Sequence, residues 1–454
     1  MNHATTTVTY TTQPCAKKLE GNFRVPGDKS ISHRAIMLGA LAEGITEIRG
    51  FLQGEDSLNT LRCFRAMGVE ITDPVDGYVR VAGVGLYGLR SPKKPLYVGN
   101  SGTSMRLMAG ILAGQSFDSV LEGDKSLARR PMRRVIDPLN QMGAIIESAE
   151  GGRSPLTIRG GNALNAIDYL LPMASAQVKS CVLLAGLYAK GRTCVTEPAP
   201  TRDHTERMLS GFGYEVERKG STACVQGGGR LAARKIDVPA DISSAAFFMV
   251  AASIAPAAEI TLEHVGMNPT RIGVIEILKA MGADMTVFNS REVGGEPVAD
   301  IRVKSARLRG IEIPEALVPL AIDEFPALFV AAACAEGRTV LTGAEELRVK
   351  ESDRIAVMAD GLQKLGIEAT PTVDGMIIEG QGAQALPFGM AEIWSQGDHR
   401  IAMAFAVAGL RASGTITIHN CEFVETSFPG FAELFRRCGG GLQDVAGPVV
   451  GGAT

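Results

Sequence analysis

Four clusters in this chain are suited to holding small anions: Gly27-Asp28-Lys29-Ser30 with Arg34, Asn100-Ser101-Gly102-Thr103, Ser175-Ala176-Gln177 and Asp398-His399-Arg400. Each opens an apolar stretch. Read as helix starts, they offer free backbone N–H groups, a positive dipole end and a cation or hydroxyl, a combination that suits phosphate and carboxylate. A second set opens stretches of mixed polarity: Arg129-Arg130-Pro131, Arg202-Asp203-His204, Asn268-Pro269-Thr270-Arg271 and Lys350-Glu351-Ser352-Asp353-Arg354. If both sets face one cleft, many cations converge. Singly, each has a plainer reading. GDKS is a turn with a solvated lysine, VKESDR a charged helix face, Asp203 a helix cap and DHR a structural ion pair. The conjunction at equivalent points carries the argument.

Other chemistries lack their signatures. There is no HExxH, and the six histidines are far apart in the chain, so metal-independent chemistry is expected, with no metal and no cofactor. Neither a GxSxG elbow nor a GxxxxGK[ST] loop is present, which removes the usual marks of serine hydrolysis and nucleotide-triphosphate hydrolysis.

The elements that must position these clusters form a repeat. A medium apolar residue, a glycine and then a β-prone run recur in RAMGVEI, NQMGAII, SGFGYEV, KAMGADM, QKLGIEA and RRCGGGL. The marker glycines are Gly68, Gly143, Gly213, Gly282, Gly366 and Gly439, spaced 69 to 84 residues apart. Each reads as the left-handed glycine that closes a helix. A second six-fold series interleaves with them, helices apolar on nearly every face that start near Ser30, Gly102, Ser175, Ser243, Asp323 and Asp398. Helices apolar all round belong inside a domain, and the mixed-face series outside. Two helices plus short strands per unit, six times, predict twin domains of three units: 22–237, and 1–21 with 238–454. The fold class is α/β.

Bulk properties agree. A chain of 454 residues exceeds one hydrophobic core. Apolar residues at 45% and charged residues at 21% describe a globular protein. A net charge of -3 provides no overall field for nucleic acid or an anionic membrane. The N-terminal residues lack the basic start and apolar run of a secretory signal, so a cytoplasmic protein is expected. The longest apolar stretch, Ala245 to Ala258, is too short to span a bilayer. The eight cysteines are scattered and read as free buried thiols in a reducing compartment.

GDKSISHR, GNSGTSMR, ARRPM, PMASAQVKS, TRDHTE, MNPTR, IDEFP, LRVKESDR and DHRIAM together resemble the 5-enolpyruvylshikimate-3-phosphate synthase family across nearly the whole chain. GDKS, SAQVK, RDHTE and NPTR are similar to its bacterial class II branch. The resemblance implies a two-domain inside-out α/β barrel of six βαβαββ repeats with the active site in the interdomain cleft. It implies a monomer that transfers the enolpyruvyl group of phosphoenolpyruvate to the 5-hydroxyl of shikimate 3-phosphate. Carried over residue by residue, Lys29, Ser30, Arg34, Ser175, Gln177, Arg202, Asp323 and Lys350 hold shikimate 3-phosphate. Lys29, Gly102, Arg130, Gln177, Glu351, Arg354 and Arg400 meet phosphoenolpyruvate. Asp323 would serve the hydroxyl proton, Glu351 the vinyl carbon, and Lys29 a share of either.

Seven of these residues are cations and two are carboxylates, a net of +5. Like charges about 4 Å apart cost roughly 4 kcal/mol at an effective dielectric of 20, so the empty site is expected to stay open and to close on shikimate 3-phosphate. Two departures matter. Thr426 stands where the other major branch has a lysine before its Thr-Phe-Pro, which removes one phosphoenolpyruvate contact. Gly102 stands where a tolerant class II member has alanine, which leaves room for glyphosate as a competitor of phosphoenolpyruvate. Two rivals remain. The sister transferase acting on UDP-N-acetylglucosamine typically has a reactive cysteine in the loop that here runs from Gln115 to Arg130, where none occurs. A catalytically silent anion binder has no use for Asp323 and Glu351.

Overall fold

The computed structural model describes residues 7–14, 17–383 and 386–447. Two compact units emerge. One spans Gly27–Pro239 with Glu292–Glu296 and is called the N unit here; the other, the C unit, takes the chain up to Pro26, Ala240–Arg291 and the chain from Pro297 onward. Residues 22–26, assigned to the first domain from sequence, lie with the C unit. Asn22 and Phe23 pair with Thr261 and Leu262, and the Phe23 ring meets Phe248 edge-on at 5.0 Å. That packing moves the crossing to Pro26–Gly27.

Twelve α-helices are found among the described residues: α1 (Lys29–Leu41), α2 (Glu55–Ala66), α3 (Gly102–Ala113), α4 (Arg133–Gln141), α5 (Ala176–Gly186), α6 (His204–Gly211), α7 (Ile242–Ile254), α8 (Gly273–Ala280), α9 (Phe325–Cys334), α10 (Arg354–Lys364), α11 (His399–Ala408) and α12 (Phe431–Arg437). The odd-numbered helices are the apolar series. Every residue of α7 and α9 is buried. The even-numbered helices keep one polar face and end before the six marker glycines, whose φ runs from +82° at Gly213 to +106° at Gly439. A side chain there would be strained, which is why glycine recurs.

The strands form six small sheets among the described residues, three per unit, with a shared order. In the N unit, Glu43–Arg49 runs parallel to Lys235–Asp237 and antiparallel to Val79–Val84, which pairs with Glu70–Ile71. The sheets around Ser119–Glu122 and Arg192–Thr196 repeat this pattern. In the C unit, Ile416–His419 lies between the parallel Ala391–Trp394 and the antiparallel Thr7–Gln13, and the latter continues to Gly441–Gly447. The sheet at Glu336–Leu341 has three strands, with isolated parallel bridges Arg309–Glu336 and Glu312–Val340 in place of the fourth. Each unit closes on its own apolar core.

The thiol expectation is corrected at one pair. Cys194 and Cys224 are joined by a disulfide, because they stand opposite each other on adjacent antiparallel strands with Cα atoms 4.1 Å apart. Cys63, Cys181, Cys334, Cys421 and Cys438 are free and buried; Cys15 lies outside the described residues.

Candidate active site

In the N unit, three apolar helices begin on short polar caps. Asp28 Oδ1 accepts from Ile31 N at 2.9 Å and fixes the first turn of α1, which carries Lys29 and Ser30. Lys29 Nζ pairs with Asp56 in the first turn of α2. One turn further, Arg34 is 4% exposed and donates to Thr205 Oγ1 at 2.7 Å, to Ser180 Oγ at 2.9 Å and to the Ser30 carbonyl at 2.9 Å. Burial pulls its pKa down to about 10, with Glu206 and Asp28 opposing. It remains a cation at neutral pH and braces the strip from Ser30 to Thr205.

Ser101 caps α3 through Ser104 N at 3.1 Å, leaving Gly102 as the first helical residue. Arg130 reaches the same end: Arg130 Nη2 donates to Asn100 Oδ1 at 2.5 Å, and Asn100 is held by Asp124 at 2.7 Å. Ser175 caps α5 through Val178 N at 3.4 Å. Gln177 crosses from α5 to α3, donating to Thr103 Oγ1 at 3.0 Å and accepting from Arg106. Arg202 precedes Asp203, the cap residue of α6. Asp203 occupies the cap position, but its carboxylate makes no cap bond; it accepts from Arg207 Nε at 2.9 Å and from Arg218 Nη1 at 2.8 Å.

Beneath this surface lies a cation that sequence reasoning did not single out. Lys179 is 1% exposed, with Nζ 2.9 Å from Glu197 and 2.7 Å from Glu206. Its signal was available, since a lysine inside an apolar helix needs buried partners. His33, within GDKSISHR, is fully buried against Thr60 Oγ1 at 2.7 Å. Burial, then Lys29 and Arg34, hold its pKa well below the usual imidazole value, so it stays neutral.

In the C unit the expected residues form one connected cluster. Arg354, the first residue of α10, is 1% exposed. Its Nη1 donates to Asp323 Oδ1 at 3.0 Å, Nη2 to Glu351 Oε2 at 2.6 Å and Nε to Asp398 Oδ2 at 2.8 Å. Burial works against this charge, but Asp398, Glu351 and Asp323 outweigh it and raise the pKa above the ordinary arginine value. Lys350 Nζ lies 2.7 Å from Glu346 and 3.6 Å from Asp323. Arg400 Nη1 donates to the Asp323 carbonyl at 3.0 Å. Asp398 is fully buried, accepts from Ser352 Oγ at 3.0 Å and caps α11 through Arg400 N at 2.9 Å.

A profile described as EPSP synthase (3-phosphoshikimate 1-carboxyvinyltransferase) matches residues 15–435. The chain belongs to the EPSP synthase family. It is 70% identical over 416 residues to the 3-phosphoshikimate 1-carboxyvinyltransferase of Alkalilimnicola ehrlichii, covering 92% of each chain. To the enzyme of that name in Methylococcus capsulatus it is 64% identical over 432 residues, 95% of this chain and 98% of the other. Among solved structures it is similar to EPSP synthase from Acinetobacter baumannii, with a TM-score of 0.87 and 60% identity over 96% of this chain and 100% of that one.

For a member of the EPSP synthase family, the charge count from sequence needs correction. It left out Asp56 on Lys29, Glu346 on Lys350 and Asp398 on Arg354. In the N unit Lys29 is thereby paired with a carboxylate. In the C unit Lys350 and Arg354 meet Glu346, Asp323, Glu351 and Asp398. Among the described residues no group of three His, Cys, Asp or Glu is placed to hold a metal ion, and no helix is long and apolar enough to cross a membrane.

Proposed function

We propose that the chain transfers the enolpyruvyl group of phosphoenolpyruvate to the 5-hydroxyl of shikimate 3-phosphate and releases inorganic phosphate. The cationic cluster of the N unit takes the phosphate and carboxylate of the acceptor through Lys29, Ser30, Arg34, Ser175, Gln177 and Arg202, with Asp323 and Lys350 completing the set. Phosphoenolpyruvate meets Lys29, Gly102, Arg130, Gln177, Arg354 and Arg400. The 5-hydroxyl oxygen bonds to C2 of phosphoenolpyruvate as its proton passes to Asp323 and a proton from Glu351 reaches C3. The tetrahedral adduct then loses phosphate, which takes the proton held by Asp323, as a methyl proton returns to Glu351. Lys29 stands by the departing charge. The chain does this as a cytoplasmic monomer without metal or organic cofactor, and glyphosate competes for the phosphoenolpyruvate subsite.

One observation carries the assignment of roles: a single buried guanidinium, Arg354, holds Asp323 Oδ1 at 3.0 Å and Glu351 Oε2 at 2.6 Å. Two carboxylates kept together by one cation are a means of moving two protons, which a pure anion binder does not need. The test is phosphate release on mixing the protein with phosphoenolpyruvate and shikimate 3-phosphate, with UDP-N-acetylglucosamine and Asp323→Ala as controls. Release with shikimate 3-phosphate alone, lost in the variant, is expected. Release only with the nucleotide sugar would overturn the acceptor, and release with neither would overturn the enzyme.

A further inference from the structure

Cys194 and Cys224 sit on a face of their sheet where buried thiols do not belong. Strands Arg192–Thr196 and Thr222–Gln226 pair antiparallel with Cys194 opposite Cys224, between Asp168 on one side and Glu217 on the other. Alternation along the strands sends Thr193, Val195, Ala223 and Val225 into the core and turns the two cysteines to the opposite face. There they line a depression of about 310 Å³, together with Asp168, Arg192, Glu217 and Lys219. Cys194 is half-buried, while Cys224 is 5% exposed.

The other described cysteines differ in kind. Burial pushes the thiols of Cys63, Cys181, Cys334 and Cys421 up to about 12 and that of Cys438 up to about 11. At neutral pH they stay protonated and out of reach, and thiolate is the reactive form.

We propose that Cys194–Cys224 is a thiol–disulfide exchange site for small-molecule thiols, in which Cys194 forms the mixed disulfide and Cys224 resolves it. The incoming thiolate bonds to Cys194 Sγ, the S–S bond breaks, and the electron pair leaves on Cys224 Sγ, which takes a proton. A second thiol then attacks the added sulfur and releases the small-molecule disulfide and the Cys194 thiol. The protein disulfide gains two electrons and two thiols lose them. Oxidation runs the same steps in reverse. Cys194 is the entry point because it is the more exposed residue of the pair, and the walls carry Asp168 and Glu217 beside Arg192 and Lys219, with Arg192 held by Glu217, so they set no strong preference of charge. A disulfide in a thiol-reducing compartment is usually transient, which agrees with a reachable pair rather than a buried staple.

Glutathione is the probe, in a Cys15→Ser background so that the signal comes from described positions alone. The native protein is equilibrated in buffers from oxidised to reduced glutathione, trapped with an alkylating reagent and mapped by peptide mass spectrometry. The expected result is a 194–224 cross-link that opens under native conditions as reduced glutathione rises, with label on Cys194 and on none of the five free buried cysteines until denaturant is added. In Cys224→Ser, glutathione should accumulate on Cys194 at least tenfold over any other cysteine. A cross-link that never forms, opens only in denaturant, or gives way to glutathione spread evenly over the cysteines would overturn the proposal. If Cys224→Ser does not fold, native opening in the parent background decides alone.

Discussion

The N and C units share a strand order, helix alternation and glycine-closed outer helices, yet the buried arginines at their helix starts are held by different partners. In the N unit several carboxylates are taken up by cations outside the expected set. Lys179 takes Glu197 and Glu206, and Arg207 and Arg218 take Asp203. Arg34 keeps its charge while its partners are hydroxyls and a carbonyl. In the C unit the buried group is itself the cation, and Asp323, Glu351 and Asp398 crowd round Arg354. One unit therefore holds a buried arginine among hydroxyls and the other a buried arginine among carboxylates. What the repeat keeps is the place, a helix start; the groups gathered round the cation there are free to differ.

The comparison breaks most sharply at its two buried cations. Arg354→Ala leaves three carboxylates around a void, at a cost of about 3–5 kcal/mol for uncompensated buried charge, and should abolish phosphate release. Urea denaturation and the release assay read the two effects. Lys179→Met should cost a similar amount for Glu197 and Glu206, but through binding rather than chemistry. Glu206, freed from Lys179, is the strongest carboxylate influence on Arg34 and competes with the substrate for it. The Michaelis constant for shikimate 3-phosphate should rise well before the turnover number falls. Adding Glu206→Gln should recover part of both losses. A turnover collapse at unchanged Michaelis constant would show that the two units are not divided in this way.

Sequence and structure part company at the same two cations. The helix starts and the six glycines are legible because they are local: a cap, a dipole end and a left-handed residue need only neighbours in the chain. The partners are not local. Asp56 reaches Lys29 from the next helix, Asp398 reaches Arg354 across 44 residues, and Glu197 and Glu206 flank Lys179 from the strand end and helix that follow. Counting charges by motif thus misses the carboxylates that decide each cluster's net charge. The cross-strand cysteines are illegible for the same reason, since their register depends on a strand pairing that spacing alone does not reveal.

A smaller effect sharpens the C-unit side. Burial acts to raise the Asp398 carboxyl, but Arg354 outweighs it and holds the pKa below the ordinary carboxylate value. A depressed folded pKa means that stability is fully present above the unfolded value, about 3.9 for aspartate, and is lost as pH falls through the lower folded value. In that window the unfolded chain binds a proton that the folded one refuses, so stability rises with pH. Urea midpoints measured downward from pH of about 5 should fall steeply, and Asp398→Asn should be less stable overall but flatter on the acid side. An unchanged acid slope would remove Asp398 from the cluster's energetics.

The mildest test belongs to the N unit. A methyl group added at Gly102 would lie 2.9 Å from Arg106 Nη1 and 3.4 Å from Arg130 Nη1. The backbone at Gly102 is ordinary helix start, so no strain arises from φ, and the nearest atom is the end of a flexible side chain. Stability should therefore change by less than about 1 kcal/mol. What must shift is Arg106, which holds Gln177, and with it the space beside Arg130. Gly102→Ala should raise the Michaelis constant for phosphoenolpyruvate by a factor of about 3–10, the equivalent of roughly 1 kcal/mol, and weaken glyphosate inhibition at least as much. The constant for shikimate 3-phosphate should stay put. Equal weakening of both substrates would mean that the methyl group disturbs Gln177 and the cradle as a whole, and that Gly102 does not mark a separate phosphoenolpyruvate subsite.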